Sequence, residues 1–171
     1  MIEVEIKIKL RNPDAIRNII HDMGAKKKYR MKNVDRYYNA PDTLRDFART
    51  DEALRLRSTY INPDETGKSD HELNSHDLTY KGPKLDKEIK SRVEMVCRIL
   101  NPKEMDKIIV ALGFIPVLTL NKIRESYHLD YNNHAIEILI DEMEGLSGTY
   151  LEAELMVDSD CEADRENINN V

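Results

Sequence analysis

The sequence predicts an α+β fold, an eight-stranded antiparallel β-barrel with helices packed outside it, on three observations. Charged and apolar residues alternate at period two in several segments, eight segments in all read as strands, and two helical stripes interrupt them without a strand–helix–strand rhythm. The clearest alternation opens the chain: Glu3, Glu5, Lys7 and Lys9 share one face of a strand whose other face carries Ile2, Val4, Ile6, Ile8 and Leu10. Arg55 and Arg57, Arg92 and Glu94, Lys122 and Arg124, and Glu152 and Glu154 repeat the device. Eight strands is about the number at which a barrel interior can hold one small ligand.

The elements follow in order. After a strand at 2–10, Asn12-Pro13 opens a helix striped by Ile16, Ile19, Ile20 and Met23 and ended by Gly24, an Asn cap before Pro at the first helical position. Strands are expected at 26–38, 52–60 and 77–82, with a polar, turn-rich loop at 61–76. In that loop His71-Glu72 and His76 are spaced i and i+5, one residue too far to share a helix face, which removes a zinc-protease reading. A strand at 87–100 precedes a second helix, opened by Asn101-Pro102, striped by Met105, Ile108, Ile109 and Leu112, and ended by Gly113. Strands at 115–131, 135–143 and 150–157 complete the set, the first two joined by Asn132-Asn133. Asn12, Pro13 and Gly24 each shift by 89 residues onto Asn101, Pro102 and Gly113, and Glu3 and Glu5 onto Arg92 and Glu94, which suggests an internal duplication. Residues 1–158 form the expected domain; 159–171 are an acidic, Asn-rich tail, disordered or a truncated helix.

Composition bounds the function. The chain has 171 residues, 40% hydrophobic and 34% charged, so one globular domain is expected with some charges inside it. A net charge of −6 and a pI near 5.4 argue against nucleic-acid or membrane-surface partners, which require a basic footprint. Cys97 and Cys161 have no metal or redox spacing, so a reducing, cytoplasmic location is expected, with Cys97 a buried small apolar residue. The longest apolar run, 136–140, is broken by Glu137; neither a signal peptide nor a membrane span is expected.

The alternating charges sort by sign. Acids gather at Glu3, Glu5, Glu152 and Glu154, bases at Arg55, Arg57, Lys122 and Arg124. Ordinary antiparallel sheets turn a polar face to water, and that reading predicts the same strands. A solvated face needs no sorting, however, and like charges two apart repel and require counter-charges. A sheet curled with its charged face inside forms one polar cavity suited to a polyanion carried on divalent metal. Magnesium takes hard oxygen ligands, offered by Glu3, Glu5, Asp141, Glu152 and Glu154; phosphate suits Lys7, Arg55, Arg57, Lys81, Lys122 and Arg124. Arg92 and Glu94 also read as partners of each other's neighbours, holding the polar interior together. No P-loop and no Ser or Cys nucleophile elbow is present in the sequence, so catalysis would rest on charge placement and metal.

Glu3-Val4-Glu5-Ile6-Lys7 resembles the E-x-E-x-K strand of the CYTH superfamily, the triphosphate tunnel metalloenzymes. Asp35-Arg36-Tyr37-Tyr38, Arg45 through Arg57, Thr79-Tyr80-Lys81-Gly82-Pro83, Ser91-Arg92-Val93-Glu94, Lys122-Ile123-Arg124 and Tyr150-Leu151-Glu152-Ala153-Glu154 continue the resemblance in order, toward the class IV adenylyl cyclase branch. The resemblance implies a tunnel binding triphosphate through its bases and two divalent metals, Mg2+ or Mn2+, through its acids. Carried onto this sequence, it implies a catalytic set of Glu3, Glu5, Lys7, Lys81 and Arg124. It implies triphosphate contacts from Lys7, Arg55, Arg57, Lys81, Arg92, Lys122 and Arg124, and metal ligands among Glu3, Glu5, Glu94, Asp141, Glu152 and Glu154. Two departures stand out: Ser147 interrupts the usual Gly-Leu-Gly turn before Glu152, and the chain stops where family members continue into a C-terminal helix. The expected partner is a small-molecule triphosphate, ATP or polyphosphate, with a homodimer left open. Three activities fit: an adenylyl cyclase forming cyclic AMP and pyrophosphate, a hydrolase of tripolyphosphate, thiamine triphosphate or nucleoside triphosphate, and a non-catalytic binder of phosphorylated metabolites.

Overall fold

A computed structural model of the chain describes residues 2–61, 74–84 and 90–157, with the side chains of 2, 3, 74, 90, 91, 156 and 157 left out of that description. Most of the expected loop at 61–76, including His71 and Glu72, and the tail at 159–171 lie outside the described residues.

Eight strands run in the order β1 (Ile2–Leu10), β2 (Lys26–Asn39), β3 (Ala53–Ile61), β4 (Asn74–Lys84), β5 (Lys90–Arg98), β6 (Ile115–Tyr131), β7 (His134–Met143) and β8 (Thr149–Val157). Each is antiparallel to both neighbours, and the ring β1-β5-β4-β3-β2-β6-β7-β8 closes on itself. β1 is the closing strand: it pairs along its whole length with β8, from Ile2↔Val157 to Leu10↔Thr149, and over a short stretch with β5, from Ile2↔Val93 to Glu5↔Lys90. Exchanging β1 with β5, β2 with β6, β3 with β7 and β4 with β8 reproduces the same ring, as a duplicated chain would.

The helices form where the sequence signals them. α1 (Pro13–Asp22) is capped by Asn12, whose side chain accepts from the Ala15 amide at 3.2 Å, and α3 (Pro102–Ala111) by Asn101, which accepts from Glu104 at 3.2 Å. Gly24 and Gly113 follow at φ 87° and 91°, the left-handed conformation that releases the chain from a helix with least strain in glycine. A third, single-turn helix, α2 (Phe47–Thr50), was not expected. Asp46 caps it through the Ala48 amide at 3.0 Å and Asp51 ends it at φ 56°.

The hydrophobic cores lie outside the barrel wall. α1 presses Ile16 and Ile20 onto Leu10, Tyr127, Leu129, Ile138 and Ile140; α3 presses Met105 and Ile109 onto Tyr38, Leu56 and Ile99. Each helix thus covers the apolar side of strands whose charged side turns inward. α1 covers only the Leu10 end of the outer face of β1, and farther along that face and on β5 Ile6 and Met95 remain 54% and 58% exposed. Cys97 lies on that uncovered face and is exposed, not buried as its apolar alternation suggested. Among the described residues no helix is long and apolar enough to cross a membrane.

Candidate functional site: a charged bore

The inward faces of the eight strands enclose a cavity of about 1270 Å³, larger than the several hundred Å³ typical of small-ligand sites. Glu5, Lys7, Arg55, Arg57, Lys81, Arg92, Glu94, Lys122, Arg124, Glu152 and Glu154 all line it. The alternation therefore points its charges into the bore. Of the remaining candidates, Glu3 sits opposite Arg92 in the ladder, its side chain outside the described set, and Asp141 is fully buried in the wall behind two of the cations.

Two Arg–Asp forks organise the bore. Arg57 on β3 donates from Nε and Nη2 to the two carboxylate oxygens of Asp35, directly opposite on β2, at 2.6 and 2.7 Å. Arg124 on β6 does the same to Asp141, directly opposite on β7, at 2.6 and 2.7 Å. A bidentate contact fixes the guanidinium plane, so each arginine is held before any ligand arrives. The second fork is extended: Lys122 donates to Asp141 at 2.9 Å, Arg124 also donates to Glu152, and Lys7 reaches Glu152 at 2.5 Å. On the opposite wall Glu94 lies 3.2 Å from Lys81 and 3.8 Å from Arg55, while Arg92 stands 3.8 Å from Asp51. Arg92 and Glu94 thus have different partners, Glu94 the bases of β3 and β4 and Arg92 the acid after α2.

The electrostatics follow from burial against pairing. Burial alone would raise the Glu152 carboxyl, but Arg124, Lys122 and Lys7 outweigh it and bring it down to about 2. Asp35 is likewise lowered, Arg57 offsetting its desolvation. Lys122 goes the other way for a lysine, down to about 8, because it is buried and faces Arg124 and Arg57, which outweigh Asp141 and Glu152. Arg57, Arg124 and Lys7 rise, their carboxylate partners overcoming desolvation.

These contacts redistribute the expected acids. Asp141 and Glu152 accept from cations, so in this arrangement they brace bases. Glu5 and Glu154 are direct partners across β1 and β8 on the bore side. Two adjacent carboxylates match magnesium, which takes one or two protein carboxylates and completes its shell with phosphate oxygens and water. Among the described residues no group of three or more His, Cys, Asp or Glu side chains forms an all-protein cage.

Sequence reasoning missed Asp35 as a site residue although it lies in a quoted motif. The 89-residue offset that aligned the helices also places Asp35 on Arg124 and Asn33 on Lys122, and was the available signal. Thr59, Ser126 and Glu137 also face the bore and carried no such mark.

A closed antiparallel barrel with charged residues inside and its apolar cores outside defines a tunnel protein. The chain belongs to the CYTH domain family, whose pattern matches residues 1–167. It is 38% identical over 165 residues to the Methanocaldococcus jannaschii protein named "Putative adenylate cyclase MJ0240", covering 96% of this chain and 83% of that one. The solved PH1819 protein of Pyrococcus horikoshii OT3 superposes with a TM-score of 0.78 at 33% identity, covering 98% of this chain and 86% of that one. HpAC1 from Hippeastrum, for which a dominant triphosphatase activity is described, shares the fold at a TM-score of 0.60 and 16% identity, covering 98% of this chain and 85% of that one.

Proposed function

We propose that this chain is a divalent-metal-dependent enzyme that binds a triphosphate in its bore, with conversion of ATP to cyclic AMP and pyrophosphate as the leading reaction. The observation that carries the reading is the set of inward-facing cations held in place by buried carboxylates. A bare cluster of bases would repel itself; here Asp35, Asp141, Glu152 and Glu94 hold Arg57, Arg124, Lys122, Lys7 and Lys81 in position. A triphosphate then meets preorganised charge, which costs little reorganisation as charge develops on the leaving group.

In this reading Arg55, Arg57, Lys81, Arg92, Lys122 and Arg124 hold the phosphate tail, with Lys7 beside Glu152. Glu5 and Glu154, with Glu3 on the same face of β1, would hold Mg2+ or Mn2+. When bound, the metal supplies charge neutralisation on the phosphates and a lowered pKa for a coordinated hydroxyl. The cyclase step forms a bond from the ribose 3′-oxygen to the α-phosphorus, gives the hydroxyl proton to water, and breaks that phosphorus's bond to the bridging oxygen, releasing pyrophosphate. The relative's name favours this reaction.

The activity described for HpAC1 favours a second reading, in which water attacks the terminal phosphorus in the same bore. Incubation with ATP, other nucleoside triphosphates, thiamine triphosphate and tripolyphosphate under Mg2+ and Mn2+ separates the two. Cyclic nucleotide plus pyrophosphate supports the cyclase; orthophosphate supports the hydrolase. Tight metal-dependent binding without turnover would leave a non-catalytic binder, and no binding at all would end the triphosphate reading.

A further inference from the structure

The cations of the bore are not all held in the same way. Arg57 and Arg124 are each fixed by a fork of two hydrogen bonds, which sets the plane of the guanidinium. Lys7 cannot form a fork, because its ammonium is a rotatable point charge on a four-carbon stem. Its hydrogen bond goes to Glu152, an acid that Arg124 also uses.

Tyr150 adds a second constraint. It lies on β8 two places before Glu152, so its side chain shares the bore face with Glu152 and Glu154, and it stands opposite Lys9 on β1 and Asp141 on β7. The Lys7 ammonium lies 5.6 Å from the centroid of the Tyr150 ring and the Lys9 ammonium 5.8 Å, inside the reach of about 6 Å over which an aromatic face attracts a cation. The turn before β8 is shaped to this arrangement. A Cβ at Gly148 would stand 2.5 Å from Cε of Lys9, and Gly148 has φ 108°, so space and backbone both demand glycine there. A half-buried tyrosine packs against its neighbours in any sheet, but packing alone has no use for two ammoniums beside one ring. They repel each other, and the electron-rich ring face offsets that repulsion.

From this we infer that Tyr150 is a positioning residue, whose ring face, together with Glu152, seats the Lys7 ammonium in the bore where a phosphate oxygen meets it. The inference rests on the triphosphate reading and deepens it with a residue that acts through Lys7. A lysine already seated loses less rotamer freedom when the ligand arrives, which leaves more of the contact as affinity.

The test takes two readings on Tyr150→Phe, which keeps the ring, and Tyr150→Leu, which removes it. In the unliganded protein a carbon–proton correlation spectrum, with Lys7 assigned through Lys7→Arg, should show the Lys7 ε-methylene shifted upfield by the ring current; Tyr150→Phe should keep the shift and Tyr150→Leu abolish it. Calorimetric affinity for inorganic tripolyphosphate with Mg2+ should weaken roughly three- to tenfold in Tyr150→Leu and stay near the wild-type value in Tyr150→Phe. Added to Lys7→Met, Tyr150→Leu should cost nothing further, because both changes remove the same contact. An unshifted Lys7 signal in the wild type overturns the inference even where Tyr150→Leu fails to fold. Undiminished affinity in Tyr150→Leu overturns it too, as does an equal loss in Tyr150→Phe, which assigns the effect to the hydroxyl, or an equal loss in the Lys7→Met background, which assigns it to packing. All of these leave tripolyphosphate binding by the wild type, and with it the triphosphate reading, standing. A wild-type protein that does not bind tripolyphosphate overturns both.

Discussion

The two Arg–Asp forks occupy matching places in the two halves of the barrel, yet their signs are exchanged. In the first half the acid, Asp35, is on β2 and the base, Arg57, on β3; in the second the base, Arg124, is on β6 and the acid, Asp141, on β7. Both pairs are direct cross-strand partners and both carry two donor bonds of 2.6 and 2.7 Å. What the fold repeats is therefore the contact, and which strand carries the charge is free to vary. The forks also differ in company. Asp35 serves one arginine, whereas Asp141 serves Arg124 and Lys122, and Arg124 is shared with Glu152, which also holds Lys7. The second fork is a network and the first a pair.

That difference makes the two forks separable by substitution. Asp141→Ala takes the carboxylate from buried Lys122 and leaves Arg124 with Glu152 alone, and should destabilise the fold by about 3–5 kcal/mol, read as a shifted denaturant midpoint. Asp35→Ala strands only Arg57 and should cost visibly less; equal losses would mean the network adds nothing to the pair. Glu5→Ala, beside β8 on the second fork's side, should lower metal-dependent turnover by roughly a thousandfold. Its unfolding midpoint should hold, since Glu5 faces Glu154 across the ladder. Full activity in this variant would place the metal elsewhere.

Arg57→Ala should weaken tripolyphosphate binding by roughly ten- to a hundredfold, the worth of charge-assisted hydrogen bonds to a charged partner, with far less change in affinity for a nucleoside alone. If the nucleoside is affected as much, Arg57 is not a phosphate contact. The smallest effect is one of pH. Lys122, brought down to about 8 by burial and by Arg124 and Arg57, loses its proton at a lower pH than an ordinary lysine. Triphosphate affinity should fall by up to about tenfold per pH unit above pH 8, and Lys122→Arg should flatten the profile. Unfolding cannot mimic this fall through Lys122. Its pKa is depressed from an ordinary 10.5, so between pH 8 and 10.5 the unfolded chain binds more protons there and this group's contribution to stability rises with pH.

The sequence made the strands and the two long helices legible because their signals are local. Observed strands Lys26–Asn39, Ala53–Ile61 and His134–Met143 fall within a residue or two of the expected 26–38, 52–60 and 135–143. The Asn-Pro starts and Gly stops of α1 and α3 carry their own hydrogen-bonding logic. α2 escaped because one turn gives no periodicity. The charged residues were legible as a site because they share faces, but Asp35, one acid between Val34 and Arg36 on a mixed strand, is marked by no local alternation and only by its 89-residue offset from Arg124. Asp141 and Glu152 read as open carboxylates for the converse reason: nothing local says that Arg124 stands between them. Cys97 looked buried because alternation names a face but not what covers it.

By itself the sequence determined which side chains travel together, because period-two alternation is a property of the extended backbone that needs no partner. Only the tertiary structure decided that the charged set turns inward, that Asp35 meets Arg57 and Asp141 meets Arg124, and that the outer face around Ile6 and Met95 stays bare. Those outcomes depend on ring closure and on register between strands far apart in the chain, and a contact between distant residues leaves no trace in the local order of either.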